Sequence, residues 1–66
     1  MTRNTIRALR SSRGISQEQL ADRVGVTRQT IISLEKERYN PSLELAFRIA
    51  RFFKTGVEDV FEYRES

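Results

Sequence analysis

The stretch 17–35, QEQLADRVGVTRQTIISLE, constrains the fold more than any other part of the chain. Ser16 and Gln19 have the Ser-x-x-Gln spacing of a capping box, which predicts a helix that begins beside Ser16. Gly25 then allows the backbone conformation of a tight turn, and Thr27 is a good N-cap for a second helix. The sequence therefore predicts two short helices joined by a rigid turn.

The apolar residues of this unit predict how its two helices pack. Ala21 is small where the helices are expected to cross closely, and Val26, Ile31 and Leu34 have the spacing that holds the second helix on the first. Polar side chains occupy the opposite face of the second helix, and their simplest interpretation is a solvated surface. A projecting helix of this kind also has the diameter that the major groove of B-DNA admits.

Glycines, a proline and capping residues divide the rest of the chain into short segments with helical periodicity. We predict a first helix over about 4–13, a fourth that begins after Ser42, and a short fifth that opens with a capping box at 55–58. The alternating tail 61–64 predicts a strand, and the stretch 1–3 is free to pair with it. The predicted fold class is all-α, with five helices and a two-stranded pairing of the chain ends.

The composition excludes several classes of chemistry. The length of 66 residues allows one small domain, which we expect to span 1–66. Because cysteine and histidine are absent, disulfides, Cys/His zinc sites and histidine general bases are excluded. We expect no catalytic residue, metal, cofactor or small-molecule ligand. No apolar run approaches the roughly 20 residues of a membrane helix and the N-terminus lacks a signal-peptide core, so a cytoplasmic protein is expected.

The excess of positive charge lies in the first part of the chain. The formal net charge is +3, but residues 1–38 carry +4 and residues 39–66 carry −1. The basic half is therefore expected to face an anionic partner, most simply nucleic acid.

The motifs together resemble a known family. Besides the 17–35 unit, the chain contains Leu34-Glu35-Lys36 followed by Tyr39-Asn40-Pro41-Ser42-Leu43. In these blocks it is similar to the small stand-alone helix-turn-helix regulators of the phage repressor/Cro (XRE-type) class, over about 5–61. The resemblance implies a five-helix lambda-repressor-like fold that binds double-stranded DNA, with the third helix in the major groove.

The resemblance also implies which residues meet the DNA. Arg28, Gln29 and Ser33 fall where the class reads base edges, and Ile32 is placed to touch a thymine methyl group. Phosphate contact or plain exposure is the alternative for Arg28 and Gln29. The implied phosphate-contacting residues are Gln17, Thr27, Arg10, Lys36, Arg38, Tyr39 and Asn40. For Arg38, a solvated charge is an equal alternative.

A partly buried ion pair between Arg10 and Glu35 is a further implication of the resemblance. Both residues lie on or beside the apolar stripes of their predicted helices. Such a pair would hold Arg10 near the DNA backbone without necessarily adding net stability.

Members of the class bind as two-fold dimers with reading helices about 34 Å apart, which implies a homodimer on a palindromic operator. We expect the helix-turn-helix unit at about 16–36 to read the DNA and the short helix and tail at about 55–66 to carry the dimer surface. The candidate interface residues are Val57, Phe61, Tyr63 and Asn40. For Phe61 and the neighbouring Val60, burial in the core is the competing interpretation.

The predicted function is therefore that of a prokaryotic, cytoplasmic transcriptional regulator, most simply a repressor. The alternative is an antitoxin-like or other partner-binding protein that uses the same fold to sequester another protein. An enzyme is not expected. One departure from the class is Gly56, where relatives often have proline, and it leaves the start of the fifth helix open.

Overall fold

The computed structural model describes residues 2–63, with a Cα radius of gyration of 10.7 Å. Five helices and a two-stranded antiparallel sheet make up this part of the chain, which confirms the predicted fold class. The elements in chain order are β1 (Thr2–Asn4), α1 (Ile6–Arg13), α2 (Gln17–Val24), α3 (Arg28–Glu35), α4 (Leu43–Phe52), α5 (Val57–Val60) and β2 (Phe61–Tyr63). Among the described helices, none has the length and apolar character needed to cross a membrane.

The two helices of the α2–turn–α3 unit begin where the predicted capping residues place them. The Ser16 hydroxyl accepts from the backbone N–H of Gln19 at 3.0 Å, and Gln19 Oε1 accepts from the Ser16 N–H at 2.8 Å. The Thr27 hydroxyl accepts from the N–H of Thr30 at 3.3 Å. Gly25 ends α2 with φ of 76°, a left-handed conformation that favours glycine. Local sequence thus determines the turn between α2 and α3.

The core lies between these two helices and the rest of the chain. Ala21 is buried in the core cluster, as expected for a small residue where α2 and α3 pack. Burial of apolar surface stabilises the fold by about 25 cal/mol per Å² removed from water. The core cluster consists of Ile6, Leu20, Ala21, Val24, Ile31, Leu34, Leu45, Ile49, Ala50, Phe53 and Val60.

The first helix is shorter than predicted because Asn4 belongs to β1. Strand β1 pairs with β2 in the register Asn4 with Phe61 and Thr2 with Tyr63. The side chain of Asn4 instead accepts from the backbone N–H of Ile6 at 3.2 Å, where α1 begins. The predicted helix over 4–13 was therefore wrong at its first two residues. Residues 1 and 64 of the predicted strand pairing lie outside the described residues.

The start of α5 also differs from the prediction. The N-cap is Gly56, with extended φ and ψ of −79° and 156°, and not Thr55. Asp59 Oδ2 accepts from the Gly56 N–H at 3.2 Å and from the Thr55 hydroxyl at 3.0 Å. The predicted pairing of Thr55 with Glu58 was wrong, because the helix begins one residue later and brings Asp59 into the capping position.

Candidate nucleic-acid interface

Helix α3 presents two rows of side chains to solvent. Arg28 and Ile32 form one row and Gln29 and Ser33 the other, each with the four-residue spacing that places side chains on one face. Arg28 and Gln29 are exposed, whereas Ile32 and Ser33 are half-buried nearer the body of the protein. The four candidate base-contacting residues therefore lie in two adjacent rows on α3. We call the surface that these two rows form the ridge of α3.

The Arg28 row borders a basic concavity between α1, α2 and α3. Four cationic side chains and two carboxylates line it together with Ser16, Gln17 and Ile32. The charged members are Arg7, Arg10, Arg28, Lys36, Glu18 and Glu35. Arg7 did not enter the predicted contact set, although it lies one helical turn before Arg10. Its spacing from Arg10 is the signal that could have found it.

Glu35 connects the three helices at the floor of this concavity. Arg10 Nε donates to Glu35 Oε2 at 2.8 Å and Arg10 Nη2 donates to Oε1 at 3.2 Å, in a bidentate pair. Gln17 Nε2 donates to the same Oε1 at 3.1 Å. The side chains of Arg10 and Glu35 are only 14% and 7% exposed. The third helix is thereby fixed to α1 and α2 by one carboxylate.

This arrangement fixes the charge and the orientation of Arg10. The hydrogen bond to Glu35 raises the pKa of the guanidinium above its ordinary value, against an opposing effect of burial. Arg10 Nη1 also donates to the carbonyl oxygen of Ile15 at 3.0 Å. The bond between Gln17 and Glu35 has no sequence signal, because the two residues are 18 positions apart and meet only when the helices pack.

The Gln29 row borders a second concavity on the other side of α3. Thr27, Thr30, Arg38 and Tyr39 line it with Gln29 and Ser33. The Thr27 hydroxyl is engaged by its cap and lies 3.1 Å from the Thr30 hydroxyl. Lys36, Arg38, Tyr39 and Asn40 are exposed beyond the end of α3. Polar and cationic side chains thus flank the ridge of α3 on both sides.

A separate apolar face contains the four predicted interface residues. Val57 and Phe61 are half-buried, Tyr63 is 71% exposed, and all three line one groove with Asn40. Val60 is buried, in agreement with the core interpretation. We call the surface formed by Asn40, Pro41, Leu43, Ala46, Val57, Glu58, Phe61 and Tyr63 the apolar face.

Sequence reasoning missed two exposed apolar residues of α4. Leu43 is 73% exposed and belongs to the apolar face, and Phe47 is exposed one turn further along the helix. Their four-residue spacing lies off the buried stripe of Leu45 and Ile49, and this is the signal that could have revealed them.

The chain is similar in sequence to known proteins. A family model described as helix-turn-helix matches residues 6–60. The chain belongs to the helix-turn-helix family. It is 60% identical over 60 residues to an uncharacterised HTH-type transcriptional regulator of Methanothermobacter thermautotrophicus, covering 89% of this chain and 87% of that protein. It is 48% identical over 63 residues to another of Methanocaldococcus jannaschii, covering 96% of each chain.

A solved structure has a similar fold. The restriction-modification controller protein C.AhdI from Aeromonas hydrophila superimposes with a TM-score of 0.75 at 30% sequence identity. The match covers 82% of each chain. Most of the backbone fold is therefore shared with that protein.

Proposed function

We propose that the protein is a transcription regulator that binds double-stranded DNA as a homodimer, with α3 in the major groove. The observation that carries this proposal is the ridge of α3, where Arg28 and Gln29 project between two polar, cation-bearing concavities. The curated relatives named as HTH-type transcriptional regulators support it.

Base reading is assigned to the ridge. Arg28 has the fork of donors that suits the O6 and N7 atoms of guanine, and the Gln29 amide suits the N6 and N7 atoms of adenine. Ser33 can donate to or accept from either base, and Ile32 offers an apolar contact to a thymine methyl. Each good bidentate contact discriminates between bases by about 1–3 kcal/mol.

Phosphate contacts are assigned to the surroundings of the ridge. These contacts fix the register of the protein on DNA and give the affinity its salt dependence. Arg10 is held by Glu35, so its role is to present its remaining donors in a fixed direction. The assigned residues are Gln17, Thr27, Arg10, Lys36, Arg38, Tyr39 and Asn40.

We assign the contact between the two copies of the homodimer to the apolar face. Leu43 and Tyr63 expose large apolar side chains there beside Val57 and Phe61, and exposed contiguous apolar surface is typical of an interaction site. A two-fold dimer would place two α3 helices about 34 Å apart and favour a palindromic operator. Occupancy of such a site in a prokaryotic cytoplasm would repress transcription by competing with polymerase.

Selection of bound sequences from random DNA tests the proposal. We expect a palindromic site, at which Gln29→Ala weakens binding by about 1–3 kcal/mol per half-site and relaxes one base position in each half-site. Arg38→Ala is the matched control, because loss of a phosphate contact should weaken all sequences alike and reduce the salt slope by about one for each subunit. Binding should be measured by fluorescence anisotropy at two salt concentrations.

Two outcomes would contradict the proposal. Selection that enriches no sequence, with equal loss of affinity for every DNA in Gln29→Ala, would remove the base-reading role of α3. A stoichiometric protein partner that survives nuclease treatment would then favour the partner-binding alternative.

A further inference from the structure

Asn4 joins three elements of the fold. Its Nδ2 donates to the carbonyl oxygen of Leu34 at 2.7 Å, in the last turn of α3. Its backbone N–H donates to Glu37 Oε2 at 3.1 Å, just beyond that helix. Its Oδ1 accepts from the N–H of Ile6 at the start of α1. The end of α3 is therefore bonded to a residue of the small sheet.

Asn4 is also connected to the apolar face. Asn4 pairs with Phe61 in the sheet register, and β2 also contains Tyr63. The next residue, Thr5, donates from its backbone N–H to the carbonyl oxygen of Val60 at 2.9 Å. Hydrogen bonds at Asn4 and Thr5, together with the covalent chain, thus connect the C-terminal end of α3 to Val60, which directly precedes the strand that borders the apolar face.

The α3 end of this path has an unusual backbone. Glu37 has φ of 59°, in the left-handed region that non-glycine residues seldom occupy. Its N–H donates to the Leu34 carbonyl at 2.9 Å, so this oxygen accepts from both Glu37 and Asn4. Costly backbone conformations persist where the surrounding bonds over-determine them, as they do here.

We propose that Asn4 is a positioning residue that fixes the orientation of α3 relative to the apolar face. In this way Asn4 sets the half-site spacing that the two α3 helices of a dimer accept. The role rests on the dimeric DNA binding proposed above. Helix α3 has eight residues and is about 12 Å long, so a 10° rotation about its anchored end would move Arg28 by about 2 Å.

The test uses the operator obtained by selection and two derivatives, with one base pair inserted or removed at its centre. Each change displaces the half-sites by about 3.4 Å along the DNA axis. The wild-type protein is expected to prefer the original spacing. In Asn4→Ala this preference should fall by about three- to tenfold, the scale of one lost hydrogen bond, with the salt slope unchanged. Dissociation constants for all three DNAs give the readout.

Two further variants separate positioning from folding. Thr5→Ala is the matched control, because the Thr5 hydroxyl donates to the Asp59 carbonyl and has no bond to α3; it should keep the spacing preference. Glu37→Gly removes the carboxylate that Asn4 contacts while relieving the left-handed backbone. It should relax the preference without loss of stability, so the role is testable even if Asn4→Ala unfolds.

The outcomes distinguish this role from the proposed function. A wild-type preference that is retained by Asn4→Ala and Glu37→Gly, or by Glu37→Gly when Asn4→Ala does not fold, would overturn the positioning role alone. Equal weakening on all three DNAs would do the same, since it marks a merely structural residue. A wild-type protein indifferent to spacing would overturn dimeric operator binding, and the role of Asn4 with it.

Discussion

Glu35→Ala is expected to lower the free energy of unfolding by about 3–5 kcal/mol, because it leaves the largely buried Arg10 guanidinium without its partner. Domains have about 0.05–0.15 kcal/mol of stability per residue, so about 3–10 kcal/mol is available to 66 residues. The loss is therefore a large share of the total. Urea unfolding followed by circular dichroism gives the measurement.

The exposed ion pair on α4 supplies the control for this variant. Arg48 Nη2 donates to Glu44 Oε2 at 2.7 Å, the same distance range as the Arg10 pair, but the two side chains are 52% and 73% exposed. Glu44→Ala should cost less than about 1 kcal/mol, because solvent screens the pair. Equal costs for the two variants would contradict the view that burial makes Glu35 critical.

A double variant separates the contribution of Glu35 to stability from its contribution to DNA binding. Arg10→Met with Glu35→Leu replaces the ion pair by apolar residues of similar size and should restore much of the lost stability. Gln17 would still lack the carboxylate that accepts its Nε2 hydrogen bond. Because the variant also lacks the Arg10 guanidinium that we assign to a DNA phosphate, DNA affinity is expected to stay low while the fold recovers. Recovery of both together would show that the ion pair serves folding alone.

The predictable parts of the fold are those encoded by neighbouring residues. The Ser16 and Gln19 capping box, the Thr27 cap and the Gly25 turn each depend on residues within three or four positions, and the structure confirms them. The prediction of the α5 cap was wrong because Gly56 and not Thr55 is the N-cap, so Asp59 and not Glu58 occupies the capping position. Local patterns thus predict helices well and their boundaries less well.

The parts that escaped prediction depend on contacts across the chain. Asn4 has helical neighbours in sequence, but its side chain bonds to Leu34, 30 positions away. Gln17 likewise contacts Glu35 only after α2 and α3 have packed. A single sequence has no signal for such bonds, although they determine how α3 is held.

Leu43→Glu is expected to abolish the proposed homodimer and to reduce affinity for the selected DNA site by about 10²–10⁴-fold, because the second half-site is no longer bound by a linked copy. The monomer should remain folded, since Leu43 is 73% exposed and its burial adds little to the core. The new carboxylate also lies at the first position of α4, where the helix dipole favours negative charge. Sedimentation and anisotropy titration give the two readouts.

Arg51→Gln is the matched control for the change in charge. It also lowers the net charge by one, and it removes an exposed cation of α4 that belongs to neither the apolar face nor the contact set. Its effect on operator affinity should be limited to the modest loss that weaker long-range attraction causes. A Leu43→Glu protein that sediments and binds like the wild type would exclude Leu43 from the interface.

Mixing Leu43→Glu with Leu43→Lys distinguishes a second copy from any other occupant of the apolar face. In a two-fold interface a residue near the symmetry axis faces its own copy, so opposite charges at position 43 meet across the interface where Leu43 lies near that axis. Each variant alone should fail to dimerise, and the mixture should regain operator binding. If the apolar face bound a different protein, the mixture should not recover operator binding, because the opposite charges of the two variants would not contact each other.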